Sequence, residues 1–172
     1  MKKKLIFILL MTLAGSTQAA SKVVTLHEVN DQGIGNAIGK VTISETPYGL
    51  KFSPELTGLE SGIHGFHVHA NGSCEPAKSG SKNIAAGTAG GHFDPEGTGQ
   101  HLGPYGEGHL GDLPALYVAA DGQATYPVVA PRLKSIHQIT GKALMVHAGG
   151  DNHSDKPHPL GGGGIRVACG VI

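Results

Sequence analysis

The sequence has no charge of one sign to spare. Its 13 Lys and Arg balance its 13 Asp and Glu with histidine neutral. No basic run follows the first few residues, which argues against nucleic acid or a charged membrane surface as the partner. Cysteine is scarce: the two residues Cys74 and Cys169 leave room for one disulfide and no more. Long apolar runs are missing after the first, LIFILLMTLA at 5–14, so no permanent membrane anchor is expected beyond it. Nowhere does a 3.6-residue apolar period hold convincingly, which excludes a helical bundle.

The one apolar run belongs to a different device. It follows Lys2, Lys3 and Lys4 and precedes the small residues GSTQAA, the pattern of a secretory signal peptide over residues 1–19, cleaved after Ala19. Residues 20–172 then suit one exported domain with a single core. In an oxidising compartment Cys74 and Cys169 most simply pair. Closing so long a loop stabilises by roughly 4–5 kcal/mol on the chain-entropy model. Two residue types are abundant: 28 glycines, which imply turns and long loops, and 11 histidines, which imply chemistry.

Eight segments alternate with period two: 22–29, 39–44, 49–53, 65–70, 115–121, 124–130, 142–148 and 165–171. They are rich in β-branched residues and bounded by turn formers, and they predict an all-β antiparallel barrel or sandwich. Pro127 requires an edge or bulge position. The stretch 136–139 reads equally as a strand end or a turn. Two stretches do not alternate, 71–112 and 149–164. Loops of that length are uncommon unless they carry function.

On a strand, i and i+2 share a face, so His67 and His69 project together. His147 ends a second strand pattern, and three imidazoles converging from two strands suit Cu, Zn, Fe or Ni. The long loop holds His92, His101, His109 and Asp112, a full tetrahedral set for zinc that leaves no open position.

The segments GFHVHANGSC, AGGHFDP, GPYGEGHLGDLPAL, HAGGDN and PLGGGGIRVACGVI together resemble the copper,zinc superoxide dismutases of the bacterial periplasm. The resemblance covers essentially all of 20–172. It implies an eight-stranded Greek-key barrel or immunoglobulin-like sandwich with two long functional loops. It implies one copper held by His67, His69, His92 and His147, and one zinc held by His92, His101, His109 and Asp112, with His92 bridging. It further implies dismutation of superoxide to O2 and H2O2 by copper cycling between Cu(II) and Cu(I), with a proton taken up at His92. Asp151 matches the aspartate that links a copper ligand to a zinc ligand, expected to be His69 and His101. Arg166 matches the arginine that guides the anion to the copper.

His27, His64, His137, His153 and His158 match no ligand position and are expected at the surface or in loops. The expected substrate is a small anion, with no nucleic-acid partner, and the chain is expected to act as a monomer or a homodimer. The competing readings are a non-catalytic periplasmic copper/zinc-binding protein on the same fold and a zinc hydrolase. The first needs neither His92 as a bridge nor Arg166; the second needs an open zinc position, which Asp112 closes.

Overall fold

The computed structural model describes residues 20–172, so the signal peptide expected over 1–19 lies outside the described residues. Seven strands form one curled antiparallel sheet in the order β5-β10-β11-β1-β2-β3-β9. They are β1 (Ser21–Asn30), β2 (Gly33–Thr46), β3 (Gly49–Leu56), β5 (Phe66–His69), β9 (Val128–Ala130), β10 (Ala143–His147) and β11 (Arg166–Val171). A two-stranded sheet pairs β4 (Gly62–His64) with β8 (Leu116–Val118). A hairpin, β6 (Ala77–Ser79) with β7 (Lys82–Ile84), stands apart.

The eight expected segments all contain a strand, and one strand that was not expected, β4, precedes the run at 65–70. Gly65 separates the two: β4 before it pairs with β8, and β5 after it joins β10. The expected strand at 124–130 shortens to β9, which begins immediately after Pro127. β9 is a sheet edge, where proline is tolerated. β3 runs past its expected end at Ser53 through Pro54 to Leu56. β9 pairs only with Leu50–Phe52, so Pro54 faces the unpaired side, where its missing N–H costs no ladder bond. The hairpin β6–β7 falls inside the stretch expected to be loop, its strands too short and polar to alternate visibly. Residues 136–138 are a 3-10 turn closed by a capping box of Ser135 and Gln138.

The apolar alternation supplies the core. Val24, Leu26, Val41, Ile43, Leu50, Phe52, Phe66, Val68, Leu144 and Val146 are all buried inside the curled sheet. Phe52 and Phe66 meet edge to face at 5.8 Å, the preferred aromatic geometry. In β1 the buried phase slips from Leu26 to Val29, where register shifts mark a bulge against β2. Cys74 and Cys169 are bonded, at a sequence separation of 95. The disulfide fastens the start of the long loop to β11.

Candidate metal centre

β5 carries HVH at an edge of the main sheet, and the alternation works as expected. Val68 points into the core while His67 and His69 point out together, yet all four residues of β5 are buried. The long loop covers them by adding itself to the strand edge. Val68 N–H donates to Gly111 O at 2.8 Å and Phe93 N–H to Val68 O at 2.8 Å. Single bridges set His69 beside His92 and His67 beside Asp112. Gly111 is needed here, because a Cβ would collide with Val68 O. The loop residues that follow the strand in sequence are thereby brought alongside it.

His147 arrives from β10, at a bulge against β11. The outcome is two overlapping sets, His67, His69, His92, His147 and His92, His101, His109, Asp112, in each of which the donor atoms lie within 4.8 Å of one another. Every member is buried. His92 belongs to both, its ring 4.0 Å from that of His67 and 5.3 Å from those of His101 and His109.

Hydrogen bonds fix which nitrogen of each ring is spoken for. His69 Nδ1 bonds to Gly90 O at 2.9 Å and His147 Nδ1 to Gly164 O at 3.1 Å. Their Nε2 atoms then face each other at 3.3 Å. His67 Nε2 and His101 Nε2 each lie 2.7 Å from the Asp151 carboxylate. The expected link of Asp151 to His69 is therefore corrected to His67. The reason is the direction of the chain: Gly65 N–H donates to Gly149 O, so the loop bearing Asp151 begins beside the His67 end of β5. The His69 end abuts Gly90 and Gly91 instead. Gly161, at φ 73°, completes the cradle, because a Cβ there would overlap the Asp151 carboxylate.

The atoms left over are informative. Among the described residues, the buried side-chain atoms without a well-directed hydrogen bond are His67 Nδ1, His92 Nε2, His101 Nδ1, His109 Nδ1 and Asp112 Oδ2. Within the second set His101 Nδ1 lies 3.0 Å from Asp112 Oδ2 and His109 Nδ1 3.4 Å from Asp112 Oδ1. Buried polar groups are normally paired, and an orphan is costly. Here all five belong to the two sets, where a metal ion would satisfy them. The residues therefore fit a pair of metal ions.

The electrostatics of the first set agree. Burial holds His69 at about 2 and His147 at about 3, each helped by neighbouring histidines. Burial likewise lowers His92 to about 4, although Asp112 resists it. These rings stay neutral, as metal ligands must be. His101 is opposed by burial too, but bonds to Asp112 and Asp151 prevail and raise it to about 9. Burial works against the charge on Asp112 and Asp151, and the same histidines reverse it, holding both carboxylates well below their usual range.

Arg166 lies at the mouth of this centre. With His69, His92 and His147 it lines a cavity of about 570 Å³. Its guanidinium donates to Ala86 O and Gly90 O, both at 2.6 Å. Gly90 O thus serves Arg166 and His69 at once. Of the five histidines expected at the surface, His137, His153 and His158 are exposed and His27 is half-buried. His64 is not a surface residue: it is 4% exposed, with ring nitrogens 2.8 Å from His147 O and Glu60 O. It stands on β4 rather than β5, and protein rather than water surrounds its ring.

The family model described as copper/zinc superoxide dismutase matches residues 37–172. The superoxide dismutase [Cu-Zn] of Escherichia coli strain K12 is 59% identical over 172 residues, covering 100% of this chain and 99% of that one. A solved Cu/Zn superoxide dismutase from Brucella abortus superposes with a TM-score of 0.88 at 53% identity, covering 89% of this chain and 99% of that one. The solution structure of a monomeric copper, zinc superoxide dismutase from Salmonella enterica gives 0.81 at 60% identity, with the same coverage.

Proposed function

Because the chain belongs to the copper/zinc superoxide dismutase family, we propose that its two buried histidine sets divide the metals between them. His67, His69, His92 and His147 hold copper, and His92, His101, His109 and Asp112 hold zinc. The observation that carries this division is where the buried atoms without a well-directed hydrogen bond fall: His67 Nδ1 and His92 Nε2 in the first set, and His101 Nδ1, His109 Nδ1 and Asp112 Oδ2 in the second. The reaction is the dismutation of superoxide to O2 and H2O2.

Copper, when bound, supplies a centre that both accepts and donates an electron, which d¹⁰ zinc cannot do. The chain does the rest. Gly90 O and Gly164 O hold the Nδ1 atoms of His69 and His147, leaving Nε2 of each to the metal. The Asp151 carboxylate holds Nε2 of His67 and His101, so that Nδ1 of each is the nitrogen left for a metal. Dismutation consumes protons, and His92 Nε2, buried and without another partner, is the place where one can be held beside the substrate. Arg166 draws the small anion into the cavity, its side chain kept in place by two loop carbonyls.

The location follows from chemistry as well. A signal peptide over 1–19 and a disulfide together suit the periplasm. Among the described residues no helix is long and apolar enough to cross a membrane. All the proposed ligands come from one chain, so a monomer, as described for the Salmonella relative, is a complete unit.

The test is metal analysis with stopped-flow superoxide decay on protein purified from the periplasm. Copper and zinc in equal amount, with superoxide consumption that tracks copper, is expected. Both metals bound without consumption would instead favour the non-catalytic metal-binding reading.

A further inference from the structure

We infer that Arg132 is a positioning residue for the zinc set, acting on His109 through its backbone. This rests on the division of metals proposed above. Arg132 stands in the connection after β9, far in sequence from every ligand. Among the described residues its guanidinium meets no carboxylate. It donates instead to Gly108 O from both Nη1 and Nη2, at 3.0 Å each, and to His109 O from Nη1 at 3.1 Å. Gly108 O has no other hydrogen-bond donor among the described residues.

The other side of His109 is already fixed. Its N–H donates to Gln100 O at 2.9 Å, which seats it next to His101. A Cβ on Gly108 would overlap Gln100 O, so the two segments are in close contact. The His109 carbonyl is also the acceptor for Asp112 N–H, though at a long 3.4 Å. One peptide therefore links two zinc-set residues, and Arg132 closes the side that this turn leaves open.

The segment that carries Arg132 is itself held by the barrel. Leu133 is fully buried, and its carbonyl accepts from Leu50 N–H of β3 at 2.8 Å. The Glu45 carboxylate accepts from Ser135 Oγ and Ile136 N–H, both at 2.9 Å. Arg132 thus carries the rigidity of β2 and β3 to a loop segment that has no ladder of its own. A planar fork that grips two adjacent carbonyls is something arginine provides and lysine does not.

The test is zinc affinity by chelator competition, with Co(II) in the zinc set as a spectroscopic reporter, on wild type, Arg132→Lys and Arg132→Met. Copper affinity and the far-UV spectrum of the metal-free protein serve as controls. Arg132→Met is expected to lose zinc affinity by roughly 10–100-fold, the range seen when groups that orient metal ligands are removed. Its Co(II) bands should shift while copper affinity stays within about twofold. Arg132→Lys should recover only a small part, and it is read alone if Arg132→Met does not fold. Unchanged zinc affinity, or equal loss of both metals, would overturn the inference. A wild type that binds no zinc would overturn the division of metals itself.

Discussion

Asp151 is the residue on which the two metal sets meet without sharing a ligand. One oxygen lies 2.7 Å from His67 Nε2 and the other 2.7 Å from His101 Nε2. Asp151→Asn replaces one acceptor oxygen by a donor, so one of those rings must turn or lose its bond. We expect affinity for both metals to fall by roughly 10–100-fold, measured by competition with chelators; loss of zinc alone would contradict the His67 contact. Asp112→Ala should behave differently, emptying the zinc set while His67, His69 and His147 still bind copper. Its melting temperature should fall because the loop loses the ion that orders it, and unchanged zinc content would refute the assignment. At Arg166 the issue is rate. Steering by a charge near a buried site changes on-rates by roughly 10–10³-fold and weakens with salt. Arg166→Ile should therefore lower kcat/KM by about tenfold with both metals retained. Arg166→Lys should do less harm and Arg166→Glu more, and stopped-flow decay at several ionic strengths would expose any other order.

At the scale of elements, the long loop is an added edge of β5 fastened at chosen points. The disulfide ties its first part to β11, and Arg166 of the same strand grips Ala86 O and Gly90 O nearby. Cys74→Ser with Cys169→Ser should cost roughly 4–5 kcal/mol by chain entropy, less if the unfolded chain is already compact. It should also free Gly90, so superoxide decay at saturating metal should slow; an unchanged rate would show that the two hydrogen bonds suffice. The sequence made the strands legible because Val24, Leu26, Ile43 and Phe52 alternate as burial demands. The ligands were legible because His67 and His69 share a strand face and because the motifs around His92, His101, His109, Asp112 and His147 resemble those of a known family. Asp151's partner was not, since it depends on which end of β5 meets Gly149. Nor was Arg132, an isolated cation whose partners are backbone carbonyls and leave no mark in side-chain pattern. His64 was misread because matching no ligand position says nothing of burial, and its ring partners are the carbonyls of Glu60 and His147.

For the whole molecule, stability and pH are joined through the same rings. In the metal-free chain His69, His92 and His147 sit at about 2, 4 and 3, below their ordinary 6.5. The unfolded chain binds protons there first, so their contribution is present above about 6.5 and is lost as pH falls toward about 4 and below. His101, raised to about 9, contributes fully below about 6.5 and loses it as pH rises through about 9. Thermal melts of metal-free protein should therefore peak near neutrality and fall on both sides; a melting temperature constant from about pH 5 to 9 would refute this. With metals bound, the acid limb should coincide with their release. The single ring of His92 carries one further consequence. If its two nitrogens serve two ions, neither affinity is a property of one site. Whatever factor the first ion applies to the second, the second must return to the first. The fully loaded state is then the same whichever ion arrives earlier, and a chain holding one ion reads the supply of the other on a different scale from a chain holding none.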